Sequence, residues 1–282
     1  MAAYIELLKP NIVSLVLITT VLGYYLGGNG IDSWFTLMLT LIGTALTAGG
    51  AGALNQYLER DTDSLMKRTR NRPIPAGIIS PNNALMFGIL LVLSGSTLLV
   101  WKVNTITGFL SILTAFLYVL VYTPMKKITW LNTSIGSIPG AIPPMGGWVA
   151  ATGHLDLGAW ILFFILFLWQ HPHFYAIAWM CKEDYARANF KMLPVIEPDG
   201  KRTIQQIFWH LSMLIPVSIL PYLYGSSGFV YFSGVLILSF VFLLSAVPMA
   251  REKSNKSAKL LLKSSVLYLP GLLFLIVFDK LI

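Results

Sequence analysis

Asn55, Glu59 and Asp63 recur every four residues within "LNQYLERDTDSLMKRTRNRPIP". On an α-helix that spacing lines three oxygen-bearing side chains along one face, with Asp61 turned away. Hard oxygen ligands converging at a helix end suit Mg²⁺, which takes one or two carboxylates together with phosphate oxygens of a substrate. Arg68 and Arg72 follow, and a guanidinium grips phosphate through two parallel hydrogen bonds. The stretch describes a site for a magnesium diphosphate. Taken alone, it equally describes a solvated helix end laced with local salt bridges.

A second group lies in "WQHPHFYAIAWMCKEDY", residues 169–185, which gathers His171, His173, Lys182 and Asp184. Ionisable groups at membrane depth are costly and face a cavity or a partner. A histidine there serves as a haem-iron ligand, as a proton carrier or as a satisfied structural group. His171 and His173 are about 200° apart round an ideal helix, so they do not share one task. Pro172 opens the local backbone, and His173 is expected to face the cavity opposite the Asn55 face. A third group is "YTPMKK", where Lys126 and Lys127 either reach a diphosphate or only mark the inner side of a membrane. His154, His210 and Cys181 read as structural.

The elements that must hold these groups are membrane helices. The chain of 282 residues is 56% hydrophobic and 11% charged, with a mean hydropathy of +0.71. A soluble domain is roughly 25% charged. Apolar segments fall at 10–28, 34–57, 82–101, 104–124, 132–152, 157–180, 206–225, 228–249 and 264–280. Each approaches the length that crosses about 30 Å of hydrocarbon as a helix. None alternates as a membrane β-strand does. The reading is an all-α integral membrane protein, one domain over 1–282, with about nine transmembrane helices bundled round a central cavity.

Lysine and arginine orient it. Eighteen of the twenty fall on one side, in residue 9 and in 58–81, 126–127, 181–205 and 250–263; Lys102 and Lys280 fall on the other. The N-terminus and the two long charged loops are therefore expected in the cytoplasm, with the active site toward that face of a bacterial-type membrane. The net charge of +8 is a topology signal. It does not mark a nucleic-acid-binding protein, for no basic soluble face exists. The first apolar stretch follows Glu6 and Lys9 without a clear cleavage site, so no cleavable signal peptide is expected. The single cysteine excludes an internal disulfide and a multi-cysteine metal site. Small residues in 43–55 and 136–147 allow close helix approach. Pro139, Pro143, Pro144 and Pro172 are expected to bend helices around the cavity.

"NQYLERDTDSLMKRTRNRPIPAG" resembles the first aspartate-rich motif of the UbiA-type intramembrane prenyltransferases. Glu59 at its middle position, with "YTPMKK", "GAIPPMGGW", "HPHF" and "DYARANFKMLP" in order, is similar to the branch that farnesylates protohaem IX. The resemblance spans nearly the whole chain. It implies transfer of farnesyl from farnesyl diphosphate to a vinyl group of haem B, giving haem O and diphosphate, with Mg²⁺ as cofactor. It implies Asn55, Glu59, Asp63 and His173 as catalytic, the first three holding metal, and Arg68, Arg72, Lys126, Lys127, Lys182 and Asp184 around the diphosphate. Membrane lipid and proteins of the haem pathway or oxidase assembly are the expected partners. Two departures stand out. The second motif offers His173 and Asp184 where most members carry several aspartates, and the branch's Ala-Gly after "DY" reads Ala188-Asn189. The rival readings are a prenyltransferase for an aromatic quinone precursor and a non-enzymatic haem or lipid carrier.

Overall fold

The computed structural model describes residues 1–280. Among them the regular structure is helical, with no strand. This follows from the apolar runs, because hydrocarbon forces every backbone N–H and C=O to pair within its own segment. The long helices are α1 (Pro10–Gly27), α2 (Trp34–Leu65), α3 (Pro81–Lys102), α4 (Thr105–Met125), α5 (Asn132–Thr152), α6 (Leu157–Met180), α7 (Lys201–Leu223), α8 (Phe229–Ser245) and α9 (Asn255–Asp279). Among the described residues, eight helices are long and apolar enough to span a membrane. The one left out is α5, whose glycines, serines and three prolines dilute its apolar character.

Several helices outrun the apolar windows that foretell them. Helix α2 continues to Leu65, α7 starts at Lys201 and α9 at Asn255. Hydropathy reports where lipid ends, whereas the helix persists until a residue caps or breaks it. Met66, with extended backbone at φ −94° and ψ 131°, ends α2. Polar side chains set the starts: Ser33 accepts from the amide of Thr36, Ser80 from Asn83 ahead of Pro81, and Asp156 from Gly158. This is ordinary N-capping of orphan amides. The link between α3 and α4 is short. Asn104 closes it by accepting from the Thr107 amide at 2.8 Å while donating to the Val149 carbonyl at 3.0 Å.

Helix α1 packs on α2 and α5; α3 lies against α2 and α4; α5 packs on α4 and α6. Helix α6 also meets α7 and α9, and α8 packs against both of those. Glycine sets the closest of these approaches. A Cβ on Gly50 would come to 2.7 Å of the Gly88 carbonyl oxygen, so a larger residue would push α2 and α3 apart. Helix α6 is two-thirds buried where every other span is half or less, which makes it an interior pillar. The prolines of α5 and α6 lie within helices that the backbone carries through unbroken.

One segment departs from α geometry. Leu117–Tyr122, inside α4, is π-helical, and Thr123–Met125 follows as a last α turn. Such widened turns occur frequently at functional sites. The Thr123 hydroxyl donates to the Tyr118 carbonyl at 2.8 Å.

Candidate active site

A cavity of about 450 Å³ runs down the middle of the helices. Its lower walls are apolar, with Leu15, Ala51, Leu110, Ile142 and Leu166 among them. Its head, where the long charged loops meet, is lined by Lys9, Asn55, Glu59, Asp63, Arg68, Arg72 and Lys126. Four cations thus share one chamber with two carboxylates and a carboxamide.

Because α2 stays helical to Leu65, the Asn55, Glu59 and Asp63 side chains do share one face, and all three are buried. Asn55 Oδ1 accepts from Lys9 Nζ at 2.5 Å and its Nδ2 donates to Thr123 Oγ1 at 2.9 Å. Glu59 Oε1 pairs with Lys126 Nζ at 2.6 Å. Asp63 Oδ2 pairs with Arg72 Nη1 at 2.7 Å, while Asp63 Oδ1 is buried without any partner. A buried orphan carboxylate oxygen costs free energy unless something binds it. Asp61, as expected, points out, its side chain 85% exposed beside Arg60.

Lys126 comes just after the last turn of α4. Burial opposes its charge, yet the Glu59 carboxylate and the nearby Tyr122 and Tyr118 rings hold its pKa above the ordinary lysine value. It stays an ammonium at any working pH. Tyr122 itself packs on Gly136, where a Cβ would meet the ring at 2.5 Å.

The loop after α6 crosses the head of the cavity as a strap. The Asp184 carboxylate accepts from the Lys67 and Arg68 amides at 3.1 and 3.3 Å and from Arg187 at 2.6 Å. Slight desolvation works against its charge, but those two amides and the Arg187 and Arg68 guanidiniums hold the carboxyl below the usual range. On the far side, the Lys191 amide donates to the Lys126 carbonyl at 2.6 Å. Tyr185, Phe190 and Met192 from this strap roof the chamber. Asn189 turns the strap with φ +54°, the left-handed conformation that asparagine tolerates better than most residues.

His173 lines the cavity, on α6, its ring stacked 5.0 Å from Trp169. Its Nδ1 lies 2.8 Å from Ser265 Oγ. Ser265 Oγ also lies 2.6 Å from the Leu262 carbonyl, and the tautomer with its proton on Nδ1 satisfies both contacts and leaves Nε2 a free lone pair. His171 differs. Its two ring nitrogens meet the Phe167 carbonyl and Ser134 Oγ, and the ring stacks 3.6 Å from His210. The His171 nitrogens are thus both engaged within the protein, and His210, expected to be structural, gives its Nδ1 to the Gln206 carbonyl at 2.7 Å.

The structure therefore brings together Asn55, Glu59, Asp63, Arg68, Arg72, Lys126 and His173. It leaves three expected diphosphate ligands outside the lining. Lys127 is exposed because the chain turns after α4; Lys182 lies 4.9 Å from the Trp179 ring; and Asp184 acts on the loop that carries Arg68. Sequence reasoning missed Lys9 as a site residue, as well as Thr123 and Tyr185. Lys9 is 46 positions from Asn55, and no spacing rule joins them.

Oxygen donors of this kind fit a magnesium ion shared with phosphate better than a metal caged by protein alone. Among the described residues no cluster of three or more His, Cys, Asp or Glu forms such a cage.

Comparison with known proteins adds to the geometry. The UbiA prenyltransferase family matches the chain over residues 16–268. A protein of Solibacter usitatus named protoheme IX farnesyltransferase is 46% identical over 289 residues, covering 99% of each chain. One of that name in Salinibacter ruber is 47% identical over 277 residues, covering 98% of each. Among solved structures, digeranylgeranylglyceryl phosphate synthase superposes with a TM-score of 0.83 at 18% identity, covering 99% of this chain and 98% of its own. A UbiA homolog from Archaeoglobus fulgidus bound to GPP and Mg²⁺ gives a TM-score of 0.69 at 16% identity, covering 98% and 99%. At these identities the two structures speak for the fold.

Proposed function

This chain belongs to the UbiA prenyltransferase family, and from that premise we propose that it transfers the farnesyl group of farnesyl diphosphate to a vinyl group of protohaem IX, giving haem O and diphosphate for haem–copper oxidase assembly. It is a prenyltransferase and a multi-pass integral membrane protein. The observation that supports the site reading most is the orphan Asp63 Oδ1, buried beside Glu59 at the charged head of an apolar cavity. The charge excess of the inward face, eighteen basic residues to two, supports a cytoplasmic head.

Bound Mg²⁺ would supply Lewis-acid stabilisation of the departing diphosphate, held by Asn55 Oδ1, Glu59 and the unpartnered Asp63 Oδ1. Arg68, Arg72 and Lys126 line the same head and complement the negative charge that develops as the C–O bond of the farnesyl carbon breaks. Tyr118 and Tyr122, with ring centroids 5.6 Å apart, line the cavity beside Asn55 and offer electron-rich faces to an allylic cation. The apolar walls and the roof of Tyr185 and Phe190 keep water from it. The haem vinyl carbon attacks, the positive charge passes to the carbon next to the porphyrin ring, and water adds there with loss of a proton. The product is the hydroxyethylfarnesyl group.

The decisive assay supplies membranes containing the chain with haem B, farnesyl diphosphate and Mg²⁺, and weighs the porphyrin. A porphyrin heavier by one farnesyl and one hydroxyl group, with one diphosphate released, is the expected result. Haem retained with its mass unchanged would instead support a carrier. A quinone-precursor prenyltransferase is not favoured, since the relatives that match end to end are named for protohaem.

His173 is assigned to the haem side. Neutral imidazole with a free Nε2 is the form that ligates iron. In His173→Ala the Soret band of added haem is expected to shift and haem affinity to fall, while farnesyl diphosphate affinity stays unchanged. Weakened diphosphate binding with normal haem binding would move His173 to the phosphate side.

A further inference from the structure

A second cavity, of about 500 Å³, opens beside the first, under the short helix Ala2–Leu7 that precedes α1. It shares Lys9 and Arg72 with the main chamber. Glu6 and Gln56 also line it, and Ile5 and Ile12 form an exposed apolar lip, 52% and 54% accessible.

Gln56 carries the argument. It is 1% exposed, and its Nε2 donates to the Leu7 carbonyl at 3.1 Å and the Glu6 carbonyl at 3.4 Å. Those two acceptors fix the amide's orientation, because a flipped amide would set oxygen against oxygen. Its Oε1 is left buried with no partner. Glu6 makes no ion pair within 4.0 Å among the described residues. One side of the pocket thus lacks a hydrogen-bond donor, and a donor of positive charge suits both groups.

The other side offers donors. Lys9 has three N–H bonds and spends them on Asn55 Oδ1 and, at 3.4 Å, on the Tyr118 hydroxyl. Arg72 has five and spends one on Asp63. Both retain donors for an anion. A bare phosphate or diphosphate fits poorly here, since it would press its oxygens on Glu6 and Gln56 Oε1.

We propose that this pocket binds a phosphoethanolamine headgroup: the phosphodiester on Lys9 and Arg72, the primary ammonium on Glu6 and Gln56 Oε1, and the acyl chains leaving over Ile5 and Ile12. The apolar lip favours the bilayer lipid as the source over soluble glycerophosphoethanolamine. Choline, whose nitrogen bears no N–H, cannot satisfy the Gln56 oxygen. Phosphatidylglycerol brings the anion without the ammonium.

The test is binding, read apart from turnover. The full chain is purified, stripped of lipid and titrated in detergent with phosphatidylethanolamine, phosphatidylcholine and phosphatidylglycerol, with bound copies counted by native mass spectrometry. One phosphatidylethanolamine should bind roughly tenfold more tightly than either other lipid, the effect of one charge-assisted hydrogen bond. Glu6→Gln, an exposed change that leaves packing alone, should remove most of that preference, and Gln56→Leu should do so as well. Glycerophosphoethanolamine should compete weakly; competition equal to that of the lipid would overturn the bilayer source. Equal retention of all three lipids, or a preference that survives Glu6→Gln, would overturn the site itself. Failure on either count leaves farnesyl transfer untouched.

Discussion

Replacing Asp63 with asparagine is expected to slow farnesyl transfer by about a hundred- to a thousandfold, the range seen when one preorganised electrostatic group is lost from a site. Asparagine keeps the shape and keeps an oxygen for Arg72, so the helix end stays folded. What disappears is the charge behind the buried Oδ1, the atom with no partner in the protein. Arg72 is 22% exposed and can rehydrate, which limits the stability cost. The measurement is single-turnover diphosphate release at saturating substrates, beside a thermal unfolding curve. Turnover within about threefold of the parent chain, read as a transition-state free energy, would remove Asp63 from the chemistry.

The largest effect on stability is expected from Lys126→Met. It leaves the Glu59 carboxylate buried without its cation, an arrangement that costs about 3–5 kcal/mol. The double variant Lys126→Met with Glu59→Gln should regain most of that loss, because no charge is then stranded, yet it should stay inactive. The pair also makes a claim about pH. The folded pKa of Lys126 lies above its ordinary value of 10.5, so its stabilisation is complete below that value and is lost only as pH rises through the higher folded value. Stability between about pH 6 and about pH 9 should owe no slope to this lysine. Unfolding titrations in detergent at several pH values check both points. A double variant as unstable as the single one would mean that Lys126 acts through packing.

The spans were legible because lipid imposes a length and a composition, and the i, i+4, i+8 face was legible because α2 remains a helix beyond the oily run. The limits are equally physical. Lys9 reaches Asn55 only because the chain doubles back through a left-handed residue, φ +54° at Lys9 itself, and no periodicity encodes that turn. The family resemblance set Asp184 beside the diphosphate, and in the structure its carboxylate accepts from two backbone amides of the first loop. A pattern of residue types reports which groups are available; it is silent on whether a carboxylate will meet a ligand or an N–H. The partner of His173 was hidden likewise, since Ser265 lies 92 positions away.

The π-helical turn Leu117–Tyr122 has a consequence for how this chain can change in length. It holds a residue more than an α path over the same rise would need, and the widened turn absorbs that residue so that the end of α4 keeps its orientation. Relaxing the segment to α geometry at its present length would swing Thr123 and Lys126 by most of the ~100° that one residue turns in an α-helix. Asn55 would lose its hydroxyl acceptor and Glu59 its ammonium together. Exchanges among apolar residues at 117, 119, 120 and 121 leave the widened turn in place. In this stretch one residue can be removed without turning the helix end, provided the widened turn goes with it. A one-residue alignment gap here in a related chain would mark a plain α turn that presents the same side chains to the site.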